Sequence, residues 1–127
     1  MGKREIRSEA AAPGGGYSQA VELGGLVFVS GQGPLDPASG EVLGETIEEQ
    51  TAHTIENIRL ILDAAELGLE DVVKSTVHLA DIGLFGGFDG VYRELFPQPY
   101  PARTTVASGL LGILVEIDVV AVREDSR

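Results

Sequence analysis

Two segments of this sequence are apolar at nearly every position, residues 26–29 and much of residues 115–122. Side chains alternate between the two faces of a β-strand, so a strand that is apolar throughout must be covered on both faces. The sequence contains only two helical patterns, and two helices cover one face of a sheet. We therefore expect a second copy of the same chain to cover the other face, which would otherwise form a large exposed apolar patch.

Local signals divide the chain into the order ββ-α-β-α-ββ. Gly24 and Gly25 lie between two short strand patterns, which predicts a β-hairpin with a primed turn. Residues 46–67 show helical periodicity and begin with Thr46 and Glu49, the pair that forms a capping box. The strand patterns cover residues 19–23, 26–30, 72–80, 102–108 and 115–123, with residues 3–7 as an open alternative, and a weaker, glycine-containing helix pattern covers 82–95. This order predicts an α+β fold in which two helices pack on one face of one sheet.

The length and charge of the chain limit its organisation and its partners. At 127 residues the chain predicts a single domain over residues 1–127. Its 9 Lys and Arg against 20 Asp and Glu give a formal net charge of −11. Such a charge repels phosphate backbones and anionic lipids, so we expect neither nucleic-acid nor membrane binding. The basic N-terminus is not followed by an apolar region, and we expect a soluble, cytoplasmic protein.

Several kinds of catalytic site are unsupported by the sequence. The chain has no cysteine, so it has no disulfide, thiolate nucleophile or zinc ribbon. His53 and His78 lie on different elements without a third ligand at metal spacing, and we expect no metal site. Residues 14–16 are three glycines, but no Lys-Ser or Lys-Thr follows them, so they do not form a phosphate loop.

Arg103 is the charged residue with the most suggestive position, near the start of a predicted strand. Glu116 and Asp118 lie on one face of the next strand, because side chains two residues apart share a face. Antiparallel pairing of these strands about residues 109–112 would place Arg103 opposite Glu116 or Asp118, and the register stays open. Such a guanidinium could bind a substrate carboxylate through two hydrogen bonds, or it could form a structural ion pair.

Ser30 and Tyr17 have structural interpretations as well as functional ones. Ser30 can be a strand-end hydroxyl that caps the following turn, since no base is near it in the sequence. Tyr17 can be a half-buried aromatic residue with a hydrated hydroxyl.

Several segments, in their order and spacing, resemble the reactive-intermediate deaminase family, also called the YjgF/YER057c/UK114 family. The resemblance covers about residues 10–123. The matching segments are Gly16-Tyr17-Ser18-Gln19-Ala20, Val29-Ser30-Gly31-Gln32-Gly33-Pro34, Gly40-Glu41-Val42, Gln50 with Asn57-Ile58, Asp71-Val72-Val73-Lys74, Tyr92 with Phe96, Tyr100-Pro101-Ala102-Arg103-Thr104-Thr105-Val106 and Val115-Glu116-Ile117.

The resemblance implies a chorismate-mutase-like α+β fold with one mixed sheet, and a homotrimer with a central β-barrel and small-molecule sites between subunits. It implies hydrolysis of reactive enamine and imine acids to 2-oxo acids and ammonia, as in 2-iminobutanoate and 2-iminopropanoate deaminases, without metal or cofactor. By resemblance, Arg103 would bind the substrate carboxylate, and Glu116 would orient the attacking water. The residues expected to line the pocket are Tyr17, Ser30, Gly31, Asp89 and Thr105.

Three positions depart from the family pattern. Thr105 stands where the family often has cysteine, and Glu66 stands where it has glycine, which suggests a shifted helix end. Asp89 stands where the deaminases usually have asparagine. Near Arg103, Asp89 would compete with the substrate carboxylate, so small imino acids would be poor substrates and a ligand with a positive or donor-rich group would suit the pocket better. Alternatively, Asp89 caps the second helix and faces solvent.

Two other functions remain open from the sequence. One is a non-enzymatic trimeric module that binds ligands or protects proteins. The other is an endoribonuclease, against which the acidic charge balance counts.

Overall fold

The computed structural model describes residues 2–124, which form a six-stranded sheet with two helices on one face. The elements are β1 (Arg4–Ile6), β2 (Ala20–Leu23), β3 (Leu26–Gln32), α1 (Ile47–Ala64), β4 (Val72–Leu79), α2 (Phe85–Leu95), β5 (Ala102–Ala107) and β6 (Val115–Val122). Short 3-10 turns precede β4 and α2. The predicted α+β class and the order of its main elements are confirmed, and the open alternative of a strand near the N-terminus is present as β1.

The sheet is mixed, with the strand order β1-β2-β3-β6-β4-β5. Only β4 and β5 pair in parallel, and all other neighbours are antiparallel. β6 therefore lies in the middle of the sheet, between β3 and β4. β5 forms one edge of the sheet, and this edge carries Arg103.

The expected pairing of β5 with β6 is wrong, because β4 lies between them. Nearness in sequence favours a hairpin, but burial favours a central position for β6. Val115, Ile117, Val119 and Ala121 alternate along β6 and are all buried beneath the helices. A central position buries this row and also gives the backbone of β6 partners on both sides.

Gly24 and Gly25 form the predicted primed turn between β2 and β3. Their φ angles are +63° and +83°, and Leu23 pairs directly with Leu26. Positive φ at both central residues is the requirement of a type I′ turn, and glycine meets it without strain.

The capping box at the start of α1 is also confirmed. The Thr46 hydroxyl accepts a hydrogen bond from the backbone N–H of Glu49 at 3.1 Å. The Glu49 carboxylate accepts one from the backbone N–H of Thr46 at 3.2 Å. Each side chain thus satisfies a backbone donor that the helix leaves without an internal partner.

The helices and the inner sheet face enclose the core. Alternating residues of β3, β4 and β6 contribute buried aliphatic side chains, and the helices contribute aliphatic and aromatic ones. The fully buried members include Val27, Ile58, Ile61, Leu62, Val77, Phe88, Val115 and Ile117.

Residues 2–124 leave apolar side chains exposed on the opposite face of the sheet. Leu26, Phe28 and Val106 lie on it and are 39%, 42% and 40% exposed. Leu26 and Phe28 belong to a segment whose exposed face the sequence leads us to expect, whereas Val106 does not, and coverage of this face by a second copy stays a prediction. No helix among residues 2–124 is both long enough and apolar enough to span a membrane, and a cytoplasmic location also stays a prediction.

Candidate active site

Arg103 lies on the edge strand β5 and points toward the helices. It pairs in register with the buried Ser75 of β4, and cross-strand partners share a face. Its Nη1 atom donates to Oδ1 of Asp89 on α2, at 2.8 Å. Both side chains are 22% exposed, so this is a largely shielded ion pair at the rim of the sheet.

Three aromatic rings of α2 surround the same guanidinium. Its central carbon lies 5.4 Å from the ring centres of Phe85 and Phe88 and 4.7 Å from that of Tyr92. Positions 85, 88, 89 and 92 follow helical spacing, so the rings and Asp89 share one face of α2. Cation–π contacts of this kind contribute about 0.5–2 kcal/mol each and fix the position of the cation.

Tyr92 is anchored beneath Arg103 by a buried hydrogen bond. The hydroxyls of Tyr92 and Ser75 lie 2.6 Å apart. Burial raises the pKa of Tyr92, while Ser75 and Arg103 act in the opposite direction. Tyr92 therefore stays protonated at neutral pH and provides a neutral ring for the guanidinium.

A cavity of about 340 Å³ opens beside the ion pair. The residues that line it are Asp89, Tyr92, Arg93, Tyr100, Pro101 and Arg103. The Tyr100 hydroxyl donates to the backbone carbonyl of Arg93 at 3.1 Å and links the loop before β5 to α2. The cavity can hold a small molecule with a carboxylate, because an arginine forms part of its wall.

Thr105 and Asp89 lie on the same side of the sheet as Arg103. Thr105 follows Arg103 by two residues and pairs with the buried Val77. Asp89 lies inside α2 and contacts Arg103, so it is not a helix cap that faces solvent, and its competition with a ligand stays a prediction.

Glu116 lies on the opposite face of the sheet. It pairs with His78 of β4, on the face away from the helices. Its carboxylate is packed against the backbone of Gly31, where a Cβ atom would approach Glu116 Oε2 to 2.6 Å. The absence of a side chain at Gly31 therefore allows the Glu116 carboxylate its position.

Ser30, which precedes Gly31 in the chain, lines a cavity of about 380 Å³ together with Tyr17. The Ser30 hydroxyl donates to the backbone carbonyl of Ser18 at 2.7 Å, so it ties β3 to the preceding loop. Tyr17 is 56% exposed, which is more than expected for a half-buried residue.

The predicted site residues thus lie on two sides of the sheet, with Asp89, Arg103 and Thr105 on the helical side. Asp89 and Arg103, together with the rings of Phe85, Phe88 and Tyr92, form what we call the arginine cluster. On the other side of the sheet Gly31 contacts Glu116, and the adjacent Ser30 lines a cavity with Tyr17; we call these four residues the glutamate cluster.

The expectation that Arg103 lies opposite Glu116 or Asp118 is wrong. β4 separates the strands, and its residues Thr76 and His78, which pair with Asp118 and Glu116, point to the face opposite Arg103. Period-two alternation along the strand is the physical reason.

Sequence reasoning missed the rings of Phe85 and Phe88. Their spacing with Tyr92 is visible in the sequence, but glycines at 86, 87 and 90 weaken the helix pattern and hide their common face. It also missed the environment of Asp118, where burial raises the pKa of the carboxyl and His78 and Lys74 act in the opposite direction. Among residues 2–124, no three His, Asp or Glu side chains are grouped to hold a metal ion.

A comparison with known families gives a match over nearly the whole chain. The family model described as Endoribonuclease L-PSP matches residues 7–123. A RutC family protein of Saccharolobus solfataricus is 48% identical over 115 residues, which are 89% of this chain and 91% of the relative.

Two further relatives carry more specific names. Reactive Intermediate Deaminase A, chloroplastic, of Arabidopsis thaliana is 39% identical over 123 residues, or 94% of this chain and 66% of the relative. The crystal structure of E. coli TdcF with bound serine superposes with a TM-score of 0.88 at 34% identity and covers 95% of this chain and 99% of that one. The predicted fold class is confirmed by this match.

Proposed function

The chain belongs to the reactive-intermediate deaminase (YjgF/YER057c/UK114) family, whose family model is described as Endoribonuclease L-PSP, and from this premise we propose that it is a hydrolytic deaminase. The substrates are 2-imino acids and the 2-enamino acids that tautomerise to them, and the small ones react slowly because Asp89 competes with their carboxylate for Arg103. One water molecule adds to the C=N bond, ammonia leaves, and a 2-oxo acid is the product.

The observation that carries this proposal is the environment of Arg103. Asp89 and three rings hold the guanidinium beside a cavity of about 340 Å³. Asp89 binds Nη1, whereas the edge formed by Nε and Nη2 is a separate fork that matches the two oxygens of a carboxylate. A fixed fork orients a small imino acid without first having to become ordered itself.

Glu116 supplies the acid–base function in this proposal. Its carboxylate accepts a hydrogen bond from the attacking water, takes a proton as the C–O bond forms, and returns it to the departing nitrogen. An imino acid is intrinsically prone to hydrolysis, so positioning and proton transfer are sufficient. A positioned acid–base group contributes about two to four orders of magnitude in rate.

A complete site requires more than one copy of the chain, because the two clusters lie on opposite faces of one sheet. We propose a homotrimer in which the uncovered sheet faces form a central barrel. β5 is an edge strand, so the arginine cluster lies at the rim, where a neighbouring copy can bring its glutamate cluster. The cleft between two subunits would then hold the substrate.

The relatives support a small-molecule substrate. One is named a deaminase, and another was solved with serine, a molecule with the carboxylate and the 2-nitrogen that the proposed substrates share.

The test is an assay with 2-iminobutyrate made in situ from threonine by a pyridoxal-phosphate-dependent dehydratase. Loss of imine absorbance and release of ammonia are measured above the spontaneous rate. We expect Arg103→Lys to lower kcat/KM at least about a hundredfold, because a point charge cannot replace a planar fork. Arg59→Lys, in an exposed pair on α1, is the matched control and keeps full activity.

Two outcomes contradict the proposal. A rate equal to the spontaneous one would contradict the activity, and full activity of Arg103→Lys would contradict the site. Binding of imine analogues without acceleration would favour a non-enzymatic module.

An endoribonuclease is the second candidate, favoured by the description of the family model. A net charge of −11 opposes binding of RNA. Incubation with single-stranded RNA tests for the endoribonuclease function, and we expect no cleavage of the RNA.

A further inference from the structure

We infer that Arg93 is a specificity-determining residue of this site, and that the preferred substrates are 2-imino acids with a second carboxylate at the far end of the side chain. The inference rests on the proposed deaminase function and deepens it by naming the substrate class. Arg103 binds the carboxylate on carbon 1 of such a substrate, and Arg93 binds the distal carboxylate.

Arg93 and Arg103 line the same cavity. Arg93 lies on α2, four residues beyond Asp89. Residues four apart on a helix share a face, and long side chains lean back toward the N-terminus of their helix. The Arg93 side chain therefore extends along the face of α2 that carries Asp89, and Asp89 also lines the cavity.

The positive charge of Arg93 is not compensated within the structure of residues 2–124. Asp89 has the helical spacing of an ion-pair partner for Arg93, but its carboxylate binds Nη1 of Arg103 at 2.8 Å. Within the same residues the Arg93 guanidinium forms no ion pair with any other carboxylate. Of the three charged residues that line the cavity, Asp89 and Arg103 compensate each other, and Arg93 is the cation that remains.

The size of the cavity suits a short dicarboxylate. A sphere of about 340 Å³ is about 9 Å across, whereas the two carboxylate carbons of an extended five-carbon diacid lie about 5 Å apart. A monocarboxylate of the same length presents a methyl group to Arg93. A second carboxylate instead accepts charge-assisted hydrogen bonds from its guanidinium.

A purely structural role of Arg93 predicts a different behaviour. Arg93 lies in the last turn of α2, where a cation stabilises the helix through its macrodipole. Loss of that effect would lower stability and would leave the relative affinities of two ligands unchanged. The ratio of the affinities for a dicarboxylate and for its monocarboxylate analogue is therefore the quantity that reports recognition by Arg93.

The experiment uses 2-oxoglutarate and 2-oxovalerate, two stable analogues of the product that differ only in a carboxylate or a methyl group at carbon 5. Their affinities for the full-length protein and for Arg93→Gln are measured by isothermal titration calorimetry. We expect the wild type to bind 2-oxoglutarate about five- to tenfold more tightly, since an ion pair with an exposed arginine contributes modestly. In Arg93→Gln this ratio should fall to about twofold or less, and Arg93→Lys should keep most of it because the charge remains.

Arg59→Gln is the matched control. Arg59 is an arginine on the surface of α1 and does not line the cavity. Its replacement removes the same charge from the protein, so it should leave the ratio unchanged.

The wild type alone can overturn the inference. Equal or weaker binding of 2-oxoglutarate, or no measurable binding of it, would do so even if Arg93→Gln failed to fold. An unchanged ratio in a folded Arg93→Gln would also overturn it, and so would an equal fall of the ratio in Arg59→Gln.

These outcomes are separate from the test of catalysis. A preference for 2-oxoglutarate that Arg93→Gln abolishes, in a protein without deaminase activity, would support recognition by Arg93 and refute the proposed function. Deaminase activity on 2-iminobutyrate, in a protein whose ratio Arg93→Gln leaves unchanged, would do the reverse.

Discussion

At the scale of single residues, the proposed chemistry depends on two side chains that the protein holds in different ways. Arg103 is held by contacts, through one carboxylate and three rings. Glu116 is held by space, because its carboxylate occupies the volume that a side chain at Gly31 would need. The addition of a single methyl group at Gly31 should therefore displace the Glu116 carboxylate.

We predict that Gly31→Ala lowers kcat about ten- to a hundredfold, because the new methyl group displaces the Glu116 carboxylate. Glu116→Gln should lower kcat with a smaller effect on KM, since it keeps the shape and removes the base. Turnover of 2-iminobutyrate is the measurement.

Gly109→Ala is the control, since a methyl group there meets no atom within 4 Å. If Gly31→Ala adds a further loss to Glu116→Gln, the two changes act independently, and the explanation through Glu116 is wrong.

At the scale of elements, the end of α1 shows a local conflict between sequence and backbone. Leu67 N–H donates to the Leu62 carbonyl and Glu66 N–H to the Asp63 carbonyl, both at 2.9 Å. This is a Schellman motif with Glu66 at the position that requires a left-handed residue, and Glu66 has φ +61°. The Schellman motif therefore forms although Glu66 stands where the family has glycine. A residue with a side chain is strained at this positive φ angle.

We predict that Glu66→Gly raises the free energy of unfolding by about 0.5–1 kcal/mol, because glycine adopts this conformation without strain. Glu56→Gly, inside α1 at a helical position, should instead lower it. Denaturant unfolding at one fixed protein concentration is the measurement, since assembly makes stability depend on concentration. Destabilisation by Glu66→Gly would contradict the strain.

At the scale of the whole molecule, two features are built from residues that lie far apart in the sequence. The first is the exposed sheet face, on which Leu26, Phe28 and Val106 are accessible to solvent in the structure of residues 2–124. The second is Glu22, which binds Arg123 through Nε at 2.8 Å and Nη2 at 3.0 Å and also pairs with Arg4.

We predict a trimer in solution that Phe28→Glu dissociates, because a charge on the covered face would have to be buried without a partner. Leu95→Glu introduces the same change at an exposed position of α2, on the helical side, and should leave the trimer intact. The molar mass is measured by multi-angle light scattering at micromolar concentration. A stable wild-type monomer would contradict the prediction.

The Glu22 network predicts a pH dependence of stability. The hydrogen bond from Arg123 is the largest cause that lowers the pKa of Glu22, and Arg4 adds to it. A lowered pKa in the folded state means that the ionised form stabilises the fold above the unfolded-state pKa, and that this stability is lost as pH falls through the folded-state value.

Glu22→Gln should therefore lower the free energy of unfolding near neutral pH by about 1 kcal/mol or more, and this difference should shrink as pH falls below the unfolded-state pKa of Glu22 and through its lowered folded-state pKa. Glu5→Gln, in an exposed pair with Arg7, should show little difference at any pH. A deficit of Glu22→Gln that stays constant with pH would contradict the role of its charge.

The sequence by itself determined the elements, because their signals are local. Gly24 and Gly25 specify a turn through their own φ angles, and Thr46 and Glu49 cap α1 across three residues. The family motifs likewise identified the fold class. Such signals act between residues a few positions apart, so they specify the local structure independently of how the elements pack together.

Only the tertiary structure decided the strand order and, with it, the partners of the charged residues. β6 takes the centre of the sheet because its buried row contributes most to the core there, which separates it from β5. With β4 between β5 and β6, Arg103 and Glu116 point to opposite faces of the sheet, and the carboxylate that pairs with Arg103 is that of Asp89. Nonlocal packing makes these choices, and no periodicity within one strand records which strand will lie beside it.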